Sequence, residues 1–253
     1  MEQTQFEFVD FRFPQILQRI TSGKTVLHSV TIPEGYRITE IANLLEEKDL
    51  ADKNIFLQQA KNVELLEGIP TSSLEGYLFP DTYHFGKRTT EAAIINKMVE
   101  TFKERALKQK FLKRAGDLGF SYHEIITLAS LIEKETGKDS ERKQISSVFH
   151  NRLKKNMLLQ TDPTVIYAIE IFDGNIRKRD LNIDSPYNTY RYKGLPPGPI
   201  ANPGLKSIIA ALYPATTSNL YFVSKQDGSH KFSSTLNEHN RAVQKYQLRK
   251  IGR

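Results

Sequence analysis

The chain has 253 residues, with 36 Lys plus Arg against 29 Asp plus Glu and neither Cys nor Trp. That length suits one large domain or two modest ones with ample core. The missing Cys excludes zinc ribbons, disulfide frameworks and thiol nucleophiles, and no apolar run reaches the roughly 18–20 residues of a membrane span. The formal charge of +7 favours anionic partners such as cell-wall polymer, acidic membrane surface or nucleic acid.

Phe6–Phe13 alternates strongly and predicts a strand, and Pro14 opens a short helix that stops at Ser22-Gly23. Thr25–Pro33 predicts a second strand. Thr39 is placed to cap a helix over Glu40–Lys48 whose apolar face is Ile41, Leu44 and Leu45, and Asp52–Val63 again has helical spacing. Together these form a small α+β unit that ends at the turn-rich Gly68–Ser73. A boundary at residue 70 therefore divides the chain into a small module, 1–70, and a larger, mostly helical domain with short strands, 71–253. The fold class is α+β.

Leu74–Phe85, LEGYLFPDTYHF, is dense in aromatics and carries Glu75, Asp81 and His84. Alternating rings and carboxylates line sugar sites well, and hydrophobic cores equally so. Thr90–Lys113 predicts one long amphipathic helix with a basic end. Ser121–Thr136, SYHEIITLASLIEKET, is the most informative stretch. Ser121 and Glu124 form a capping box, IITLASLI carries no charge, and Gly137 is positioned to end the helix. A helix apolar nearly all round belongs in the core, so its closing Glu133 and Glu135 demand explanation, since unpaired buried charge is costly.

Asp139 or Ser140 should cap the next helix, whose apolar stripe is Ile145, Val148, Phe149 and Leu153. Asp162-Pro163 reads as an N-cap followed by proline at the first helical position. Ser185–Pro203 is a long Pro/Gly/Asn-rich loop with three tyrosines, and loops of that length are commonly functional. Gly204–Tyr213 predicts a helix, Leu220–Val223 and Lys231–Ser233 a hairpin, and Asn237–Lys250 a closing helix. His123-Glu124 begins an HExxH pattern, but position 127 is Thr, so no zinc pair follows. Neither GxGxxG, GxxxxGK[ST] nor GxSxG occurs, and His84, His150 and His239 carry no metal or triad spacing.

At about 100° per residue, Glu133 and Glu135 point roughly 200° apart. Glu133 stacks over Ala129 and Ser130, small residues that leave room for a ligand. Glu135 stacks over Leu128, Leu131 and Ile132, a packed setting that calls for an Arg or Lys partner. A carboxyl in an apolar setting has a raised pKa and suits the general acid of glycoside cleavage. A helix-end ion pair accounts for Glu133 equally well.

LEGYLFPDTYHF, ASLIEKET, VFHNRL, LQTDPTVIYAI, SPYNTY, GLPPGPIANPG and YFVSKQDGSHKFSSTLNEHN together resemble the endolytic murein transglycosylases, the MltG or YceG-like family, from Leu74 to about Tyr246. The resemblance implies a bacterial enzyme that cuts nascent peptidoglycan glycan strands internally, needs no cofactor or metal, and works beside penicillin-binding proteins and other cell-wall synthases. It also implies a LysM-like character for 1–70 and places the essential glutamate on the first Glu of EKET, Glu133. That residue would protonate the MurNAc–GlcNAc oxygen and then accept the proton of the muramyl C6 hydroxyl, leaving a 1,6-anhydro end. Glu75, Gln160, Thr161, Asp162, Tyr187, Asn188, Tyr190 and Asn240 are the expected substrate contacts, with Glu75, Asp81 and Asp162 the carboxylates a conventional glycosidase would need. Family members begin with a transmembrane helix, so the chain reads as a soluble truncation of a single-pass protein whose catalytic part faces the periplasm or exterior. A hydrolytic muramidase and a non-catalytic scaffold that recruits synthases are the alternatives. Nucleic-acid binding has no reader motif in its favour.

Overall fold

The computed structural model describes residues 26–248. The strand expected at Phe6–Phe13 and the helix after it lie outside that range. Strand β1 (Leu27–Thr31) is followed by helices α1 (Ile38–Glu47) and α2 (Lys53–Gln59). Strand β2 (Thr82–Gly86) then leads into α3 (Glu91–Arg105) and α4 (Gln109–Asp117). Helices α5 (Tyr122–Glu135), α6 (Asp139–Lys154), α7 (Asp162–Ala168) and α8 (Leu205–Leu212) make up the larger part. Strands β3 (Tyr221–Ser224) and β4 (His230–Ser233) and helix α9 (Leu236–Val243) follow, the last running into a π-turn over Gln244–Leu248. The class is α+β, with two small antiparallel sheets among the described residues.

Strand β1 pairs with β2 in the register Leu27↔Gly86 to Thr31↔Thr82, so this sheet joins chain from both sides of position 70. Asn202 makes a second connection. Its backbone and side chain bond Gly35, Tyr36, Glu75 and Leu78 at 2.8–3.1 Å, tying the segment before α1 to the loop before α8. The core runs continuously from Val30 to Leu212, which fits a close association of the two parts.

Helix α5 is the axis of that core. Every residue from Ile125 to Ile132 is buried, and α8 lies along it, with α4, α6 and α7 also in contact. The Ser121–Glu124 capping box forms as the spacing requires. Its end differs from expectation: Thr136 turns to extended backbone (φ −150°), and Gly137 is not in the left-handed region. In place of a glycine cap, the Lys138 N–H bonds Thr136 Oγ1 at 3.0 Å where the chain leaves α5.

The helix expected over Thr90–Lys113 is two helices broken at Ala106–Lys108. Ile94, Ile95, Met98, Val99 and Phe102 bury one face of α3. Continuing in phase would turn Gln109 and Lys110 inward. The break resets the phase so that Phe111 and Ala115 are buried instead, and the Ala106 carbonyl it frees accepts the Tyr122 hydroxyl. No helix among the described residues is long and apolar enough to cross a membrane.

Candidate active site

The two glutamates that end α5 have opposite surroundings, and neither matches the expectation drawn from helical phase. The small-residue side beneath Glu133 is not open. The loop before α8 fills it: the Ile200 N–H donates to Ser130 Oγ at 3.0 Å, and the Gly204 N–H donates to Glu133 Oε2 at 2.9 Å. Glu133 Oε1 pairs with Arg142 at 2.8 Å, and its side chain is only 5 % exposed. Arg142 is itself fixed by Ser207 Oγ at 2.9 Å, pairs with Asp139, and lies 3.7 Å from Glu34. Gly204 precedes α8, so the positive end of that helix dipole also faces Glu133. A Cβ on Gly204 would fall 1.9 Å from the Glu34 carboxylate, so a larger residue there would force that side chain to move. The expectation of a ligand space at Glu133 is thus corrected to a buried, fully partnered ion pair.

Glu135, expected to need a basic partner, forms no ion pair among the described residues. It accepts a hydrogen bond from the Thr161 hydroxyl. Burial raises its pKa to about 7, and the neighbouring Asp162 charge acts in the same direction, while the Thr161 hydrogen bond opposes both. Its carboxyl is therefore poised to carry or release a proton near neutrality.

The chain that presents Thr161 is unusually constrained. Gln160 adopts φ 51°, a left-handed conformation that costs a non-glycine residue energy. It is held by its N–H to the Thr189 carbonyl, and Thr161 N–H by Thr189 Oγ1, each at 3.1 Å. Thr161, not Asp162, stands at the N-cap of α7, with Asp162 and Pro163 inside the first turn. The Thr161 side chain makes no cap bond, and its hydroxyl donates to Glu135 instead.

Glu135, Gln160, Asp162 and Tyr190 line a cleft of about 430 Å³ together with Arg152, Phe222, His230 and His239. Tyr190 donates its hydroxyl to Asp162. Arg152 is immobilised by the carbonyls of Leu158, Leu159 and Leu220 and by Gln160 Oε1, with its guanidinium 5.1 Å from the Tyr221 ring centroid. His239 stacks on Tyr221 at 5.1 Å, its Nδ1 is sealed without a partner among the described residues, and burial holds its pKa down. Size and polarity suit a sugar-sized ligand rather than a flat apolar one.

Four expected contacts lie elsewhere. Glu75 is buried at the start of α1, accepting the Ile38 N–H and Asn202 Nδ2, and burial pushes its pKa up to about 8. Asn188 is fully buried and bonds Leu181, Ile183 and Tyr190, which makes it an organiser of the loop. Tyr187 packs on Tyr167 at 4.8 Å, outside the cleft. Asn240 is exposed, and its neighbour His239 faces the cleft instead. His84 lies exposed on β2, and His150 Nε2 donates to the Ala211 carbonyl of α8 rather than facing the cleft. Sequence reasoning missed Arg152 and His230. Arg152 sits in the quoted VFHNRL motif and His230 in GSHKF, so both were visible as motif members without an assigned role.

Residues 9–245 match the YceG-like family. The chain is 40% identical to the endolytic murein transglycosylase of Bacillus subtilis (strain 168), over 91% of this chain and 69% of that protein. It is 35% identical to the endolytic murein transglycosylase of Streptococcus pneumoniae (strain ATCC BAA-255 / R6), over 90% of this chain and 47% of that one. The chain thus spans about two thirds of the first relative's length and about half of the second's. A crystal structure of a YceG-like protein from Listeria monocytogenes superposes with a TM-score of 0.76 at 37% identity, covering 92% of this chain and 81% of that one. With a match across nearly all of its length and a shared fold, the chain belongs to the YceG-like family.

Proposed function

We propose that the protein is a peptidoglycan lytic transglycosylase that cleaves the MurNAc–GlcNAc bond within glycan strands, and that Glu135 is its general acid. The observation that carries this is the state of Glu135. It is a cleft carboxyl with a single hydroxyl donor, no ion-pair partner among the described residues, and a pKa near 7. The names of the relatives supply the substrate class and the reaction. The resemblance and the small residues beneath it both point to Glu133. Its carboxylate is already occupied by Arg142 and the Gly204 N–H, which suits a structural ion pair and not a group free to meet a substrate.

Protonated Glu135 donates to the glycosidic oxygen as the bond to the muramyl anomeric carbon breaks. The C6 hydroxyl of the same sugar attacks that carbon, and its proton leaves to a base. In the simplest cycle the Glu135 carboxylate receives it. No water is consumed, and a 1,6-anhydromuramyl end results. Gln160, Asp162 and Tyr190 are proposed to hold the sugar, the tyrosine ring against a pyranose face and the polar groups on hydroxyls and N-acetyl groups, while the buried Thr161 acts behind them through Glu135. By the same reading the 1–70 segment is a LysM-like module, the protein is membrane-anchored with its catalytic part outside the cytoplasm, and penicillin-binding proteins are its partners.

Digestion of un-crosslinked glycan strands followed by mass analysis tests the proposal. Anhydro-ended fragments are expected from the native chain and none from Glu135→Gln. Products heavier by one water would establish the hydrolytic muramidase, for which Asp162 in the same cleft would be the second carboxylate. Glycan binding without any fragment would leave only a scaffold.

A further inference from the structure

Strand β4 begins at His230, opposite Ser224, after a tight turn in which Gln226 (φ 68°) and Gly228 (φ 76°) both take left-handed backbone. The turn delivers His230 onto Glu141 in the first turn of α6. One carboxylate oxygen lies 2.7 Å from His230 Nδ1, and the other accepts the His230 backbone N–H at 2.9 Å. Each side chain is only 12 % exposed. The ring is further pinned by Phe222, edge-on at 5.5 Å, and by Phe232 at 6.4 Å. A carboxylate facing Nδ1 fixes the proton there and leaves the lone pair on Nε2. Nε2 bonds no described residue and is not among the sealed polar atoms, and the ring lines the same cleft as Glu135. Packing β4 against Phe222 would require neither an imidazole nor a buried carboxylate beneath it. An oriented imidazole with its free nitrogen on a cleft is the arrangement of a general base.

We propose that His230, held by Glu141, takes the proton from the attacking C6 hydroxyl, so that two groups share the work assigned above to Glu135. The proposal rests on the transglycosylase reading and divides its two proton transfers. The Glu135 proton passes to the departing glycosidic oxygen as C1–O4 breaks, and the C6 hydroxyl oxygen forms C1–O6 while its proton passes to Nε2. The cycle ends with an ionised Glu135 and an imidazolium paired with Glu141. Exchange of one proton each with water restores both. His230 is the catalytic residue in this step, and Glu141 is a positioning residue that sets the tautomer and steadies the imidazolium.

The test is kinetic, on un-crosslinked glycan with the full chain. His230→Ala should lower kcat at least about 100-fold with little change in KM, and the remaining products should contain a larger share of water-terminated ends, because the internal hydroxyl has lost its base. Added imidazole should restore part of the turnover of His230→Ala and none of that of Glu135→Gln. Glu141→Gln, whose amide oxygen can still accept from Nδ1, should lose less than His230→Ala. Native turnover in His230→Ala overturns the proposal. So does a loss that imidazole does not relieve and that follows the melting temperature across both variants. If Glu135→Gln still cleaves while His230→Ala behaves as stated, the Glu135 reading falls and this one stands. A native chain that releases no fragment overturns both.

Discussion

The last turn of α5 places two glutamates two residues apart on the same buried helix, and their surroundings could hardly differ more. On one side Arg142, the Gly204 N–H and the positive end of α8 converge on Glu133. On the other, Glu135 meets, among the described residues, a single hydroxyl and a neighbouring negative charge. Burial alone decides neither role. Where the fold supplies a cation and a backbone donor, the carboxylate is fully partnered and becomes part of the framework. Where it supplies little, the desolvation penalty appears as affinity for a proton. The difference lies in what other segments bring to the helix end, not in the helix.

Exchanging Glu135 for Gln breaks the comparison most strongly. Turnover should fall by about 10²–10⁴ or more, while the fold should not suffer. A carboxyl whose pKa rises from 4.5 to about 7 on folding costs stability progressively as pH climbs through that interval. An uncharged amide avoids that cost, so at pH 8 the variant should melt at or above the native temperature. The native kcat/KM should correspondingly decline above about pH 7, as the acid loses its proton. A variant that keeps its activity, or that loses it only by unfolding, would remove Glu135 from the site.

Glu133→Gln should do the reverse. It leaves Arg142 buried without its main partner, and removing one member of a buried pair costs about 3–5 kcal/mol. Denaturant unfolding should register that loss, while turnover per folded molecule at low temperature remains substantial. Full stability with abolished turnover would return the catalytic role to Glu133.

Much of the frame was legible in residues. The capping box at Ser121 and Glu124, the burial of IITLASLI and the hairpin after Leu220 follow from local spacing, and all formed. Helical phase also separated the two glutamates correctly. It could not say which side was open, because the segments that decide it are remote: Arg142 from α6, and Ile200 and Gly204 from a loop about seventy residues on. The break at Ala106–Lys108 was legible only as a phase slip between Phe102 and Phe111. Asn188 and Asn240 show the limit of motif membership, since one organises the loop and the other faces solvent while the cleft takes their neighbours Tyr190 and His239.

Glu75 sharpens the comparison with a third buried carboxyl. Its pKa is raised to about 8 by burial even though it accepts the Ile38 N–H and Asn202 Nδ2. It joins the segment before α1 to the rest of the core and lies outside the cleft. Its contribution to stability should be whole below pH 4.5 and be lost as pH rises through about 8. Glu75→Gln should therefore flatten the fall of melting temperature between pH 6 and pH 9 without moving the pH profile of turnover. A shift in that profile would bring Glu75 into the chemistry and undo the distinction between a buried acid and a reacting one.

The smallest effect tests the cause of the difference directly. Among the described residues Thr161 is the single side-chain donor to Glu135, and it is buried, so Thr161→Val removes that donor with little change in volume. The hydrogen bond favours the ionised form, and its loss should raise the Glu135 pKa further. A bond of this kind is worth about 1 kcal/mol net, against about 1.4 kcal/mol per pH unit. The alkaline fall of kcat/KM should therefore move up by about half to one pH unit. A shift downward, or none, would mean that the protonation state of Glu135 is set elsewhere. The contrast with Glu133 would then rest on Arg142 alone rather than on the number of donors each carboxylate receives.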